Sequence, residues 1–404
     1  MQTGHKRLKI ALLTALTLED KRSSWRITNG YFAQALEKYC GDITFIEPVQ
    51  LKAVLVGKII KGVLKLLTHK SFMYYHSFFL AKQYAKIMTR RLARQHYDLI
   101  IAPACAPEIA YLETDIPIAL IEDATFANLY NYYPQYSNLF KRSHYEADTL
   151  EGLGIKKASL ALYPSLWAAQ SALEHYHADP AKVHVVSFGT NFDNPPPGEI
   201  AQARKKSDHC RLFFIGTDWM RKGGEIAFET LVKLEELDIQ AELIICGCIP
   251  PPQFSHERMT VIPFLNRKDE RQRKEMEKLF ETSDFLFLPT RGDAYGMVFC
   301  EASSYGLPSI TTNTGGVGGA VADGENGFML PLSARGEEYA GLIAKIYRDD
   351  QRYAQLVQSS RAAFENRLNW DAWGMSVTKL IFEMLERKQA QRNADQLAET
   401  IEYV

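Results

Sequence analysis

The sequence predicts an α/β protein with two Rossmann-like domains facing across a cleft, and three observations predict this fold class. The chain has 404 residues, enough for two domains of ordinary size. Short apolar runs alternate with helical stretches in both halves, as in parallel sheets buried on both faces. The segment Asp193–Gly198 contains three consecutive prolines, which fit neither a helix interior nor a central strand, and so separates the halves.

The composition excludes several classes of protein. A formal net charge of -1 does not favour nucleic-acid binding. The six cysteines form no Cys-x-x-Cys motif, and they fit a reducing, cytoplasmic compartment. The apolar run Ile10–Leu18 follows basic residues like a leader peptide, but it is short and charged residues follow at once, so a first buried strand is the better interpretation. No window approaches the roughly 20 apolar residues that span a bilayer.

Both halves repeat one strand–helix pattern. The predicted strands of the first half are Lys9–Ala15, Thr44–Ile46, Leu99–Ala102, Ile118–Ile121, Ser159–Leu162 and Val183–Ser187. Those of the second half are Arg211–Ile215, Glu242–Cys246, Val261–Phe264, Phe285–Leu288 and Ser309–Thr312. We expect a first domain at residues 1–193, a linker at 194–209 and a second domain at 210–384. Ligands in such sheets bind at the carboxyl ends of the strands.

The segment 52–94 is strongly basic. It contains ten lysines and arginines, and no acidic residue occurs between Glu47 and Asp98. In a helix, Lys58, Lys61 and Lys65 share one face, and apolar residues such as Val63 lie opposite. This pattern indicates a helix that binds an anionic membrane surface. The alternative is a helix that packs its apolar face on its own domain.

The loop after the strand Arg211–Ile215 has features of a diphosphate site. Gly216 begins the loop, and a helix is expected from Glu225. Arg221 and Lys222 lie in this loop and carry two positive charges. The glycines of the loop allow a ligand to approach the backbone closely. The alternative is a surface turn with two solvated cations.

A second loop follows the strand Phe285–Leu288. Asp293 lies in it, and the segment Tyr295-Gly296-Met297-Val298 begins a helix whose backbone amides can face a phosphate. Glu301 lies on that helix, where it can accept hydrogen bonds from ribose hydroxyls. Asp293 and Glu301, eight residues apart, would then hold the two sugar ends of a nucleotide-sugar, with the diphosphate between them.

The segment Leu288–Val317 resembles the signature of retaining glycosyltransferases of family 4, which have the GT-B fold. That signature is an acidic residue, seven residues, a glutamate, a Gly-x-Pro turn and a glycine pair. The matching positions here are Asp293, Glu301, Gly306-Leu307-Pro308 and Gly315-Gly316. Arg221 and Lys222 match the family's basic pair for the donor diphosphate. Phe264 and Leu265 end a segment resembling the one whose backbone contacts the nucleobase.

The resemblance implies sugar transfer with retention of configuration, with Asp293 orienting the donor sugar. It places Gly30, in an Asn29-Gly30 pair expected to open the first helix after a loop with Trp25 and Arg26, near the donor phosphate and the acceptor. It also implies that a final helix, about residues 385–404, packs back on the first domain. Glu122 and Asp123 occupy the positions where the family often has a histidine. They are therefore candidate catalytic residues.

No Asp-x-Asp triplet occurs, so we expect neither a metal ion nor another cofactor. Arg221, Lys222 and the helix at Gly296 would instead stabilise the leaving diphosphate. The expected partners are a nucleotide-sugar donor, a sugar, glycolipid or polyprenol-linked acceptor, and an anionic membrane on its cytoplasmic face, but no nucleic acid. A nucleotide-sugar epimerase of the same fold and a non-catalytic nucleotide-sugar-binding protein are the alternatives.

Overall fold

The computed structural model describes residues 6–13, 25–46 and 51–402. The chain divides into two compact units, called here the first unit (Met1–Val186 with Trp373–Val404) and the second unit (Ser187–Ala372). Each contains one parallel six-stranded sheet with helices around it. The predicted class, α/β with two Rossmann-like domains, is confirmed.

The sheet of the first unit is buried at its centre. Its strands are β1 (Leu8–Leu12), β2 (Gly41–Phe45), β3 (Leu99–Pro103), β4 (Ile118–Ile121), β5 (Leu160–Tyr163) and β6 (Val183–Val185). They lie in the order β2-β1-β3-β4-β5-β6, and every residue of β3, β4 and β5 is buried. The predicted first strand extended to Ala15, but Thr14 and Ala15 lie outside the described residues.

Helices cover this sheet. They are α1 (Trp25–Tyr39), α2 (Ala53–Thr68), α3 (Phe78–Leu92), α4 (Ala106–Ile109), α5 (Phe126–Leu129), α6 (Lys141–Lys157) and α7 (Leu166–Glu174), with two single-turn 3-10 helices at Tyr74–His76 and Pro134–Tyr136. Tyr84 and Met88 of α3 pack on the sheet through Ile100 and Leu120. This apolar contact is what holds α3 against the sheet.

Helix α1 begins earlier than predicted. Trp25 and Arg26 are helical rather than in a loop, and Asn29-Gly30 lies inside the helix rather than at its opening. No proline interrupts this stretch, and one interior glycine costs a helix only about 1 kcal/mol, so the helix continues through it. The side chains of residues 25–27 lie outside the described part of the chain.

The second unit repeats this architecture. Its strands are β7 (Cys210–Ile215), β8 (Ala241–Cys246), β9 (Met259–Ile262), β10 (Phe285–Leu288), β11 (Ser309–Thr312) and β12 (Gly327–Leu330), in the order β12-β11-β10-β7-β8-β9. Its helices are α8 (Gly198–Gln202), α9 (Gly224–Glu236), α10 (Glu270–Thr282), α11 (Met297–Ser304), α12 (Gly336–Tyr347) and α13 (Asp350–Asn366). Phe213, Phe280 and Phe287 are fully buried in its core.

Residues 194–209, predicted to be a linker, are folded into the second unit. They include α8, and the Arg204 guanidinium donates to the carbonyl oxygens of Phe280, Ser283 and Tyr305. The three prolines end the preceding segment, and α8 begins directly after Pro197 because proline fits before the first turn of a helix.

The C-terminal helix α14 (Trp370–Glu402) belongs to the first unit from Trp373 onward, twelve residues before the predicted return at about 385. Trp373 is buried against Phe32 of α1, with ring centroids 4.8 Å apart. Across the described chain, none of the helices combines the length and the apolar character needed to cross a bilayer.

Candidate functional site

The candidate site lies where the sheet of the second unit changes direction. Strands β8 and β9 lie on one side of β7, and the next strand in the sequence, β10, pairs with the other side of β7. In an open α/β sheet such a switch point leaves a crevice at the carboxyl ends of the two neighbouring strands. The loops that follow β7 and β10 are the two predicted motifs.

The loop between β7 and α9 is held tightly. The Asp218 carboxylate accepts the backbone N–H of Arg221 at 3.0 Å. Gly223 caps α9 with φ +78°, a left-handed conformation, and a Cβ there would lie 1.9 Å from the carbonyl oxygen of Pro289. Only glycine fits at this position, so the two loops approach each other closely.

Arg221 and Lys222 converge on Asp293. Lys222 Nζ donates to Asp293 Oδ2 at 2.6 Å, and Arg221 Nη1 lies 3.4 Å from Oδ1 and donates to the Gly292 carbonyl at 2.8 Å. Lys222 and Asp293 are both buried, whereas the Asp218 carboxylate is half exposed and lies 3.8 Å from Arg221 Nε. Arg221 and Lys222 with the carboxylates of Asp293 and Asp218 have a formal charge of zero, so an anion bound here would compete with these carboxylates for the two cations.

The N-terminus of α11 adds backbone donors beside Asp293. Gly296 caps it in the left-handed region with φ +86°, and no side chain of the described residues caps the helix. Met297 and Val298 form its half-buried first turn. An uncapped first turn offers its amides to an anion, and the helix dipole favours negative charge there.

Glu301 is paired with Arg267. Arg267 Nη1 donates to Glu301 Oε1 at 2.6 Å and Nη2 to Oε2 at 2.7 Å, which is bidentate geometry. The Glu301 side chain is 2% exposed and that of Arg267 34%. The guanidinium also lies over the ring of Phe192, 5.1 Å from its centroid. Each carboxylate oxygen keeps a second lone pair for a ligand hydroxyl.

A cavity of about 720 Å³ opens at the carboxyl ends of β7, β8 and β9. Its lining residues include Thr217, Asp218, Trp219, Met220, Gly247, Cys248, Ile249, Pro251 and Pro263. This size suits a small organic ligand. Of the residues predicted at the nucleobase, Phe264 is exposed and Leu265 is buried. Gly216 follows β7 half-buried, next to this cavity.

The side chain of Tyr295 lies inside the second unit, whereas its predicted role concerns the backbone. Its side chain is buried, and its hydroxyl donates to the carbonyl oxygen of Phe188 at 3.1 Å. Burial raises its pKa well above the ordinary value for tyrosine. Because the hydroxyl is satisfied inside the unit, Tyr295 can offer a ligand only its backbone.

The remaining predicted site residues lie in the first unit. The predicted site residues therefore form two groups, one in each unit. Gly30 is inside α1, and Glu122 and Asp123 follow β4. Glu122 is buried, and the equally buried carboxyl group of Glu151 on α6 is its neighbour. Burial, and then the charge of Glu151, raises the pKa of Glu122 well above its ordinary value; burial also raises the pKa of Glu151 to about 7. Burial and the repulsion between two neighbouring carboxylates both favour a state in which the pair keeps a proton.

Sequence reasoning did not identify Arg267, Glu151 or the cavity-lining residues. Arg267 follows Leu265 by two residues at the carboxyl end of β9, and a cation there is a signal for an anionic partner. Glu151 carries no such signal, because it is one acidic residue in a polar helix. Among the residues that the structure describes, no group of three or more His, Cys, Asp or Glu side chains could hold a metal ion.

The second unit is similar in sequence to known proteins. Residues 198–363 match the family described as Glycosyl transferases group 1. The D-inositol 3-phosphate glycosyltransferase of Corynebacterium efficiens is 26% identical over 227 residues, which are 52% of this chain and 52% of that protein. The chain thus matches about half the length of this relative.

Solved structures share the fold over most of the chain. Sucrose-phosphate synthase from Thermosynechococcus elongatus has a TM-score of 0.65 at 15% identity, covering 94% of this chain and 100% of that one. Anabaena HepE in complex with UDP and glucose has a TM-score of 0.58 at 16% identity, covering 93% and 99%. Residues 198–363 are thus similar to the glycosyl transferases group 1, and the two Rossmann-like units have the fold of the GT-B glycosyltransferases.

Proposed function

We propose that the protein transfers a sugar from a nucleoside diphosphate-sugar to an acceptor. The observation that carries this proposal is the cluster of Arg221, Lys222 and Asp293 beside the uncapped N-terminus of α11. Two cations and a helix terminus meet at a sheet switch point, where a pyrophosphate is the anion that such a set accommodates best.

The groups around the cluster suit the rest of the donor. The cavity beside Gly216 and Trp219 would take the base, and Glu301 would accept hydrogen bonds from the ribose hydroxyls. Asp293 would orient the hydroxyls of the donor sugar. The HepE structure contains UDP and glucose, which makes UDP-sugars the first donors to test.

The charge balance suggests how transfer is assisted. As the bond between the sugar and the diphosphate breaks, negative charge grows on the leaving diphosphate. Arg221, Lys222 and the α11 amides are preorganised to stabilise that charge. We propose that this happens without a divalent ion and that the new bond keeps the configuration of the old one, as the family signature implies. The roles of Glu122, Asp123 and Gly30 in the first unit remain proposals.

The acceptor we propose is a glycolipid or polyprenol-linked sugar at the cytoplasmic face of a membrane. The basic segment 52–94 supports this choice, since it favours an anionic surface. A soluble sugar acceptor is the competing choice.

The first test is a thermal-shift screen with UDP, GDP, ADP and their sugars, because a ligand stabilises the native state in proportion to the logarithm of its concentration over its Kd. The matching donor is then incubated with lipid extract and with soluble sugars, in the presence of EDTA. Release of the nucleoside diphosphate with a glycosylated product of retained configuration is the expected result. Conversion of the donor sugar without acceptor would identify an epimerase, and binding without turnover a non-catalytic protein.

A further inference from the structure

Helix α2 exposes its apolar side. Seven apolar residues of this 16-residue helix are 41 to 77% exposed: Leu55, Val56, Ile59, Ile60, Val63, Leu66 and Leu67. The buried residues of the helix are Val54 and Gly57. The alternative that this helix packs its apolar face on its own domain is therefore wrong.

The helix is fixed from the opposite side. Val54 packs with Tyr74 and Leu80 in a small cluster, and a Cβ on Gly57 would come within 2.8 Å of the Tyr74 ring. With about 100° between successive residues, the seven exposed apolar residues cover an arc of roughly 140°, centred opposite the side that carries Val54 and Gly57. The face that the fold anchors and the face that is apolar thus point in opposite directions.

The lysines lie outside the apolar arc. On the same helical projection Lys58, Lys61 and Lys65 fall on the side of Val54, roughly 60° to 100° from the nearer edge of the arc, and all three are exposed. Long lysine side chains on that side can reach lipid phosphates while the apolar groups enter the acyl boundary. Phe79, near the start of α3, adds an exposed aromatic ring five residues after Tyr74.

The charge of the region decides which partner fits. Ten cations and no acidic residue lie between residues 48 and 97. A second copy of the chain would bring its own positive segment 48–97 towards this one, and the repulsion between like charges disfavours their association, although the α2 lysines lie outside the apolar arc. An anionic lipid surface is complementary to both the apolar face of α2 and the positive charge of the segment. Its headgroups are negative, and the layer below them is apolar.

We propose that α2 docks the protein on an anionic membrane, with Leu55, Ile59 and Leu66 inserted at the level of the acyl-chain boundary. That this docking presents the active site to a lipid-linked acceptor rests on the proposed function; the docking itself does not.

Vesicle co-sedimentation of the full chain tests the proposal, with phosphatidylcholine alone and with about 30% phosphatidylglycerol added to give the surface a negative potential. We expect sedimentation with the anionic vesicles and at least tenfold weaker binding for the Ile59→Gln, Leu66→Gln double variant. The Lys58→Gln, Lys61→Gln, Lys65→Gln triple variant should lose the preference for anionic lipid.

The matched control is Leu166→Gln, because Leu166 is exposed to the same 67% as Ile59 but lies on α7. It should bind vesicles like the wild type. Melting temperature and UDP affinity should be unchanged in all of these variants. Equal recovery of the wild type in the supernatant with and without vesicles would overturn the proposal. A wild-type dimer that is absent in the Ile59→Gln, Leu66→Gln double variant would also overturn the proposal, because α2 would then contact a second copy of the chain.

Discussion

Arg267 holds both carboxylate oxygens of Glu301, at 2.6 and 2.7 Å, in an ion pair whose acidic partner is almost completely buried. The pair joins the loop after β9 to α11, and thereby fixes the carboxylate that we propose accepts the ribose hydroxyls. The two residues are 34 positions apart in the sequence.

The Arg267→Ala variant should be less stable by about 2 to 4 kcal/mol, because it leaves a buried carboxylate without its partner. UDP affinity should also fall, by about tenfold, since the carboxylate loses its orientation. Urea denaturation and calorimetric titration measure the two effects. Arg273→Ala is the control: it breaks a more exposed pair with Glu277 on α10 and should cost less than about 1 kcal/mol. Equal effects of both substitutions would show that the Glu301 pair has no special role.

Asp293→Asn should separate nucleotide binding from sugar transfer. The substitution leaves the buried Lys222 ammonium without its carboxylate, so a diphosphate becomes the preferred counterion and UDP should bind several-fold more tightly. Transfer should fall by about 10²-fold or more if Asp293 orients the donor sugar, the loss expected for a positioning group. The measurements are UDP titration and initial rates with the intact donor. Weaker binding of UDP to the variant would contradict the arrangement proposed here.

Gly30→Ala tests whether Gly30 serves a ligand or only the helix. No atom lies within 4 Å of a Cβ built at Gly30, so alanine fits, and it should stabilise α1 by up to about 1 kcal/mol. If a donor phosphate approaches this backbone, activity should fall while the melting temperature rises. Unchanged activity in the stabilised variant would remove Gly30 from the site.

The pair Glu122–Glu151 should make the stability of the protein pH-dependent. Burial raises the pKa of Glu151 to about 7, so the folded state binds a proton that the unfolded state has already lost above about pH 4.5. Stability from this group is therefore complete below about pH 4.5 and is lost as the pH rises towards 7, a change on the order of 3 kcal/mol. Glu151→Gln should reduce the dependence of the melting temperature on pH across this interval, and the Glu122→Gln, Glu151→Gln double variant should abolish it, because burial also raises the pKa of Glu122. A wild-type profile that rises with pH through the same interval, and that neither variant alters, would disagree with this interpretation.

Most strands were predictable because a strand buried on both faces is a continuous apolar run. The bounds of β4, β10 and β11 agree with the prediction to the residue. Strand β12 was not predicted. Its Gly327–Leu330 is a four-residue edge strand with one buried residue, and so has little apolar signal. The start of α1 was missed because Trp25 to Thr28 have no helix-specific pattern, and an Asn-Gly pair suggested a turn.

The site was predictable to the extent that it depends on local sequence. Arg221, Lys222 and Asp293 follow neighbouring strands, and strand adjacency brings them together. The Arg267–Glu301 pair depends on packing between distant segments, which composition and spacing do not reveal. For α2, periodicity predicted two faces but not which one the fold covers; that is decided by the contact of Gly57 with Tyr74.

The central claim is that the second unit binds a nucleoside diphosphate through Arg221 and Lys222. Calorimetric titration of the protein with UDP, GDP and ADP tests this claim most directly. The wild type is compared with an Arg221→Gln, Lys222→Gln double variant, and Lys233→Gln, on the exposed side of α9, serves as control. The account predicts that one of the three binds with 1:1 stoichiometry, that the double variant binds it at least a hundredfold more weakly, and that the control is unchanged. Equal affinity of the double variant and the wild type would contradict it.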